Sequence, residues 1–219
     1  MIMQRALVSW SGGKDSCYAL YRASIDAIQP VILLNVLNEA GKISRSHGIP
    51  ESIMHAQALM LGLPLHTIAA SWQEYESHFT GALTQLKQKH HLTYAVFGDI
   101  DLQGHRDWEE KVCATAGLHA HLPLWQKDRK ALVHEMLAWG LKTIIVSCNE
   151  AMGASYLGKQ ITAEMIDHLE KKGIDPCGEN GEFHTLVIDC PLFSKGLSIV
   201  CEGSIFYEGY WFTEIKMIP

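Results

Sequence analysis

The sequence predicts an α/β fold: a doubly wound, five-stranded parallel sheet followed by a smaller C-terminal α+β region. Three observations carry this prediction. Short apolar runs alternate with helically spaced apolar residues over the first two-thirds of the 219-residue chain. A Gly-rich turn joins the first apolar run directly to the first helical segment. After Gly173 the apolar runs follow one another without a helix between them.

In chain order, residues 5–10 form the first apolar run, and Cys17, Leu20, Tyr21, Ser24, Ile25 and Ile28 follow at helical spacing. Residues 31–37 and 65–69 read as the second and third strands. Tyr75, Phe79, Ala82, Leu83 and Leu86 then mark a helix, and residues 94–98 a fourth strand. Leu132, Val133, Met136 and Leu137 form another helical stripe, and residues 143–148 are expected as the fifth buried strand. This alternation implies βαβ units with right-handed crossovers and helices on both faces of the sheet. One more helix is expected at residues 164–172, where Met165, Ile166 and Leu169 share a face. Residues 186–189, 197–206 and 210–218 then read as an antiparallel addition. In the last of these, Trp211, Thr213, Ile215 and Met217 alternate with Phe212, Glu214, Lys216 and Ile218. A boundary near Leu122-Pro123-Leu124 divides residues 1–125 from residues 126–219.

Composition removes several classes of function. The 47% apolar and 19% charged fractions exclude global disorder. No apolar run approaches the ~18 residues of a membrane span. The chain opens Met1-Ile2-Met3-Gln4-Arg5 and leads straight into the first strand, which reads as no signal peptide and a cytoplasmic protein. Net charge is −6, and no basic stretch exceeds Lys127-Asp128-Arg129-Lys130, which argues against a nucleic-acid partner. The six cysteines contain no CxxC pair, so a disulfide framework or a compact zinc site is not expected. The aromatics of residues 206–212 read as core or as a subunit contact, compatible with a homo-oligomer.

The most informative stretch is Ser9-Trp10-Ser11-Gly12-Gly13-Lys14-Asp15-Ser16, which ends the first strand and opens the first helix. Glycines let backbone approach a ligand closely, and the first N–H groups of a helix have no partner within it. With the hydroxyls of Ser11 and Ser16 they make a cradle for phosphate. Lys14 adds positive charge. Asp15 repels bare phosphate, and its best use is to hold Mg²⁺ against phosphate oxygens. The spacing is not Gly-x-x-x-x-Gly-Lys-Ser/Thr, so the common β,γ-cleaving nucleotide loop is disfavoured.

A second stretch, residues 176–191, reads Pro-Cys-Gly-Glu-Asn-Gly-Glu-Phe-His-Thr-Leu-Val-Ile-Asp-Cys-Pro. Glu179 and Glu182, set among Gly178 and Gly181 ahead of a strand, are chemically able to bind a metal, orient an amine or act as a general base. A polar turn with two solvated glutamates is the competing reading.

Residues 11–16 match the SGGxDS loop of the ATP pyrophosphatase (PP-loop) superfamily. Residues 176–191, with Pro123-Leu124-Trp125, residues 144–146 and Leu157-Gly158-Lys159, resemble the diphthine–ammonia ligase family, and Gly98-Asp99-Ile100-Asp101 followed by His105-Arg106 looks more like its bacterial members. The resemblance covers almost the whole chain. It implies an adenine nucleotide alpha hydrolase-like fold and an ATP- and Mg²⁺-dependent, AMP-forming ligase. A carboxylate becomes an acyl-adenylate, pyrophosphate leaves, and ammonia forms the amide. The acceptor in the family name is diphthine, a modified histidine of elongation factor 2. On this chain Ser11, Gly12, Gly13, Asp15 and Ser16 hold the pyrophosphate end of ATP, with Asp15 as the metal and catalytic carboxylate. Gly178, Glu179, Gly181 and Glu182 fall on the acceptor or ammonia side, the two glutamates in catalytic roles. His184 stands where archaeal and eukaryotic members carry an acidic residue.

Further acceptor-side candidates come from position. Asp99 follows the fourth strand, where ligands of doubly wound sheets sit. Arg106 suits a phosphate or carboxylate, although a surface ion pair with Asp107 or Glu110 explains it nearly as well. His47 lies in the polar loop of residues 38–50, whose length suggests a lid. Two other functions compete with the ligase: a nucleotide sensor without turnover, and a sulfur transferase acting on tRNA. The missing CxxC and the acidic charge weigh against the second.

Overall fold

The computed structural model describes residues 4–218. The first sheet is wholly parallel in the order β3-β2-β1-β4-β5. Its strands are β1 (Gln4–Ser9), β2 (Ile28–Leu37), β3 (Leu65–Ala69), β4 (Tyr94–Val96) and β5 (His119–His121). The middle of central β1, Ala6-Leu7-Val8, is apolar and fully buried because both of its faces are covered. Ala6 and Val8 join the core beneath α1 (Lys14–Ile25) and α2 (Glu51–Leu61). Leu7 points the other way, into the core under α3 (Tyr75–His90) and α4 (Gln103–Ala116).

The second sheet runs β7-β6-β9-β8 and is antiparallel throughout. It comprises β6 (Lys142–Asn149), β7 (Phe183–Asp189), β8 (Ile199–Tyr207) and β9 (Tyr210–Met217), accompanied by α5 (Arg129–Trp139) and α6 (Ala163–Lys171). Its apolar side chains continue the α1/α2 core without a break, so Val8, Cys17, Met54, Ile145 and Leu186 belong to one cluster. This continuity brings β7 against the turn between β1 and α1.

One strand assignment is corrected. Residues 143–148 are not the fifth parallel strand; they lie in β6, between β7 and β9 in the antiparallel sheet. Their unbroken burial resembles that of a parallel strand because β6 is central in its own sheet. The fifth parallel strand is only three residues long and reads His-Ala-His, which gives no apolar run. Helices α2 and α4 were likewise absent from the sequence reading. The loop of residues 38–50 is pinned, with bridges Leu37–Ser44 and Ile43–Pro50. In β8–β9, Phe206 and Tyr207 are exposed, while Tyr210, Trp211 and Phe212 are half-buried.

Candidate active site

A cleft of about 710 Å³ opens at the carboxyl ends of β1 and β4. Here the chain order of the sheet reverses about β1, the usual ligand position in such folds. Five segments line it: residues 11–16, the tip of the 38–50 loop, Trp72 and Tyr75 at the start of α3, the turn after β4 with the start of α4, and residues 177–185.

The first segment is closed by its own side chains. Ser16 Oγ accepts from the Ser11 amide at 3.3 Å, pairs with Ser11 Oγ at 3.1 Å and donates to the Gly13 carbonyl at 3.1 Å. Gly12 has φ +80°, a conformation that needs glycine. Gly13 has φ −89° and needs its small size for another reason. A Cβ there would lie 2.9 Å from His47 Nε2 and 3.1 Å from the Thr185 carbonyl. Gln57, fully buried on α2, ties this turn to β7. Its Nε2 donates to the carbonyls of Gly12 and Val187, while its Oε1 accepts from the Trp10 indole.

Lys14 points inward and is 3% exposed. Its ammonium donates to both Asp15 oxygens, at 2.9 and 2.7 Å, and to the Cys177 carbonyl, while its amide donates to Thr185 Oγ1 at 3.1 Å. Burial opposes the lysine charge, but Asp15 and its other neighbours outweigh burial and raise the pKa above the ordinary lysine value. The Asp15 carboxyl is pushed up by burial and by Asp99, against the pull of Lys14. Across the cleft, burial and then repulsion from Asp15 push Glu179 up to about 8. Carboxylate thus exceeds ammonium here, a donor set suited to a hard cation. No group of three or more His, Cys, Asp or Glu among the described residues is arranged to hold a metal. Asp15 would be the carboxylate to meet a magnesium ion here, with its other ligands coming from outside the protein.

On the turn after β4, Gly98 packs flat on the phosphate loop; a Cβ would meet the backbone of Asp15 and Ser16 at 2.8 and 2.9 Å. Asp99 accepts from His105 Nδ1 at 2.6 Å. Glu109, buried on α4, stands behind Asp99, and burial followed by hydrogen bonding to Asp99 pushes its carboxyl up to about 11. On the remaining side, the His47 and His184 rings lie 4.5 Å apart. Burial lowers both pKa values, that of His184 to about 4, so the pair is neutral at physiological pH.

The structure thus gathers residues 11, 14–16, 47, 99, 178, 179, 181 and 184 around one cleft. Gly12 and Gly13 do not line it: Gly12 packs on Gln57 and Met54, and Gly13 on His47 and Thr185. It does not bring in Glu182 or Arg106. The Glu182 carboxylate turns back into its own loop and accepts from the amides of Asp175 and Asn180 and from Asn180 Nδ2. Arg106 lies on the α4 surface, paired with Glu110 at 2.7 Å and stacked over Trp125. Sequence reasoning missed His105, Glu109, Gln57 and Arg129. Arg129 grips Asp101 with two bonds and reaches Asp175 and Asn180, and so fixes the 177–185 loop against the β4 turn. A lone Gln among Ile53, Met54 and Ala58 was the available signal for Gln57.

The family profile for the diphthamide synthase N-terminal domain matches residues 4–120, and that for the C-terminal domain matches residues 128–218. A diphthine–ammonia ligase of Rattus norvegicus is 28% identical over 235 residues, covering 95% of this chain and 87% of the rat protein. One from Danio rerio is 29% identical, covering 95% and 91%. One from Schizosaccharomyces pombe is 33% identical over 84% of this chain, which spans only 34% of that longer protein. A solved chain described as a predicted subunit of tRNA methyltransferase from Methanocaldococcus jannaschii superposes with a TM-score of 0.46 at 16% identity, covering 85% of this chain and 97% of that one. The fold assignment rests on the sheet order above. With the two domain profiles together running from residue 4 to residue 218, the chain belongs to the diphthamide synthase family.

Proposed function

We propose that this protein is an ATP-dependent carboxylate–ammonia ligase, and that residues 1–125 hold ATP while residues 126–219 serve the acceptor. One observation carries the reading: Glu179 faces the same cleft as the phosphate loop, and Lys14 bonds both Asp15 and the carbonyl of Cys177. A single side chain thus spans the two halves of the reaction.

In this reading the phosphates of ATP rest on residues 11–16, at the start of α1. Asp15 would hold Mg²⁺, and the ion would supply positive charge beside the phosphates. The acceptor carboxylate attacks the α-phosphorus, pyrophosphate leaves, and an acyl-adenylate remains. His47 and His184, neutral because buried, offer the acceptor hydrogen bonds without adding charge. Glu179 orients the incoming ammonia, since a carboxyl with a pKa near 8 accepts or donates a hydrogen bond at neutral pH. Glu182 acts one step removed, by shaping the loop that presents Glu179. The acceptor class is the diphthine carboxylate named in the relatives, and a cytoplasmic setting fits six unpaired thiols.

The test is phosphorus NMR of ATP incubated with the protein, Mg²⁺, ammonium and elongation factor 2 carrying diphthine. AMP and pyrophosphate in amounts that follow ammonium are expected. ADP and phosphate, or unchanged ATP, would overturn the reading.

A further inference from the structure

Amide formation has a proton problem that the residues assigned so far do not solve. At neutral pH ammonia is held almost entirely as ammonium, which has no lone pair to attack with. Glu179 is half-buried among Asp15, Lys14 and Asp99, a poor place from which to discharge a proton to water.

The Asp99, His105 and Glu109 cluster has the required form. His105 lines the cleft from the first turn of α4, and its Nδ1 is fixed on Asp99 Oδ1 at 2.6 Å. A histidine whose Nδ1–H is held by a carboxylate keeps Nε2 as the free acceptor. Behind it, Glu109 is 3% exposed, and its Oε2 has no partner as a carboxylate. Within reach of Asp99, Glu109 finds a partner only by keeping its proton and donating it, which leaves the negative charge on Asp99. Asp99 is therefore engaged from both sides, and the imidazole is oriented as catalytic bases are. The His105 side chain is 61% exposed, so a proton taken inside the cleft passes on to solvent.

We propose that His105 is the general base of the ligase reaction, oriented by Asp99 and backed by protonated Glu109. This assignment rests on the ligase reading above. Ammonium gives one proton to His105 Nε2 and becomes ammonia. The nitrogen lone pair forms the C–N bond to the acyl carbon, and the C–O bond to the phosphate of AMP breaks, with AMP leaving with its electron pair. The nitrogen then sheds a second proton to water. The charged and titratable groups around His105 are Asp99 on the turn, Glu109 behind Asp99 on α4, and Glu179 from the opposite loop. The first and last raise its basicity.

The discriminating experiment compares two nucleophiles on wild type and His105→Gln, with diphthine-bearing elongation factor 2 as acceptor. Hydroxylamine is already neutral at neutral pH and needs no base. Ammonium-dependent amide formation is expected to fall about 10²–10⁴-fold. Hydroxamate formation and ATP affinity should be retained, and added imidazole should restore part of the amide. Equal loss with both nucleophiles, or loss with neither, would overturn the assignment. A second measurement needs no acceptor: nitrogen NMR of labelled histidine should show His105 protonated at Nδ1 and titrating above an ordinary imidazole, with a lower value in Asp99→Asn. An ordinary titration in wild type would overturn the dyad. Absence of any wild-type amide would count against the ligase reading, and the histidine titration would still decide the dyad.

Discussion

The two walls of the cleft are built on opposite plans. The phosphate loop takes its turn from contacts among residues 11–16, chiefly the two serine hydroxyls, and Gln57 and Thr185 fasten that turn to β7. The 177–185 loop is held by distant segments: Cys177 Sγ donates to the Arg129 carbonyl, Asp175 pairs with the Arg129 guanidinium, and Tyr210 donates to the Gly181 carbonyl. The first wall gets its shape from local contacts at the start of α1, and β7 only fastens it. The second exists only once the antiparallel sheet has docked. On the proposed function, the comparison predicts that ATP binding and acceptor chemistry are separable by mutation, although Lys14 joins the two walls.

The largest expected break is Gly98→Ala. Its Cβ would press on the backbone of Asp15 and Ser16, which have no side-chain freedom with which to yield. A cost of about 1–3 kcal/mol is expected from such overpacking. It should appear as a lower melting midpoint together with loss of ATP binding in calorimetry. Intact ATP affinity would show that the β4 turn does not set the phosphate wall.

Glu182→Gln should come next and should sharpen the contrast within the second wall. Its carboxylate accepts three hydrogen bonds inside the loop, and an amide NH₂ would face donors in place of an acceptor. A loss of about 1–3 kcal/mol is expected from unpaired groups, seen by denaturant unfolding, with ATP affinity unchanged. Unchanged stability would mean that the loop stands without it.

This pair also shows how far sequence carries the interpretation. Glu179 and Glu182 are equivalent in the sequence, two glutamates flanking Asn180-Gly181. Folding separates them, because Arg129 and Asp175 fix the loop from outside and turn Glu182 inward. No local pattern reports that. The phosphate loop was legible because its chemistry, its strand and its helix are contiguous. The parallel sheet was legible through β4 because buried strands need apolar runs, and β5 was not, because three residues with two histidines present none. His105 and Glu109 carry meaning only beside Asp99, and the helix that delivers them was not identified.

The smallest effect is expected from Arg106→Ala. The arginine pairs with Glu110 in solvent, and exposed pairs of this kind contribute about 0–1 kcal/mol. Melting and turnover should stay near wild type. A specific rise in the acceptor KM would bring Arg106 into the site after all.

The central claim, that the second wall serves the acceptor half of the reaction and not ATP, is tested most directly on Glu179→Gln. ATP affinity by calorimetry and incorporation of labelled ammonium nitrogen would be measured on one preparation. The account predicts unchanged ATP affinity and nitrogen incorporation reduced about 10²-fold or more. A folded variant that no longer binds ATP would contradict it, and would place Glu179 in the nucleotide site.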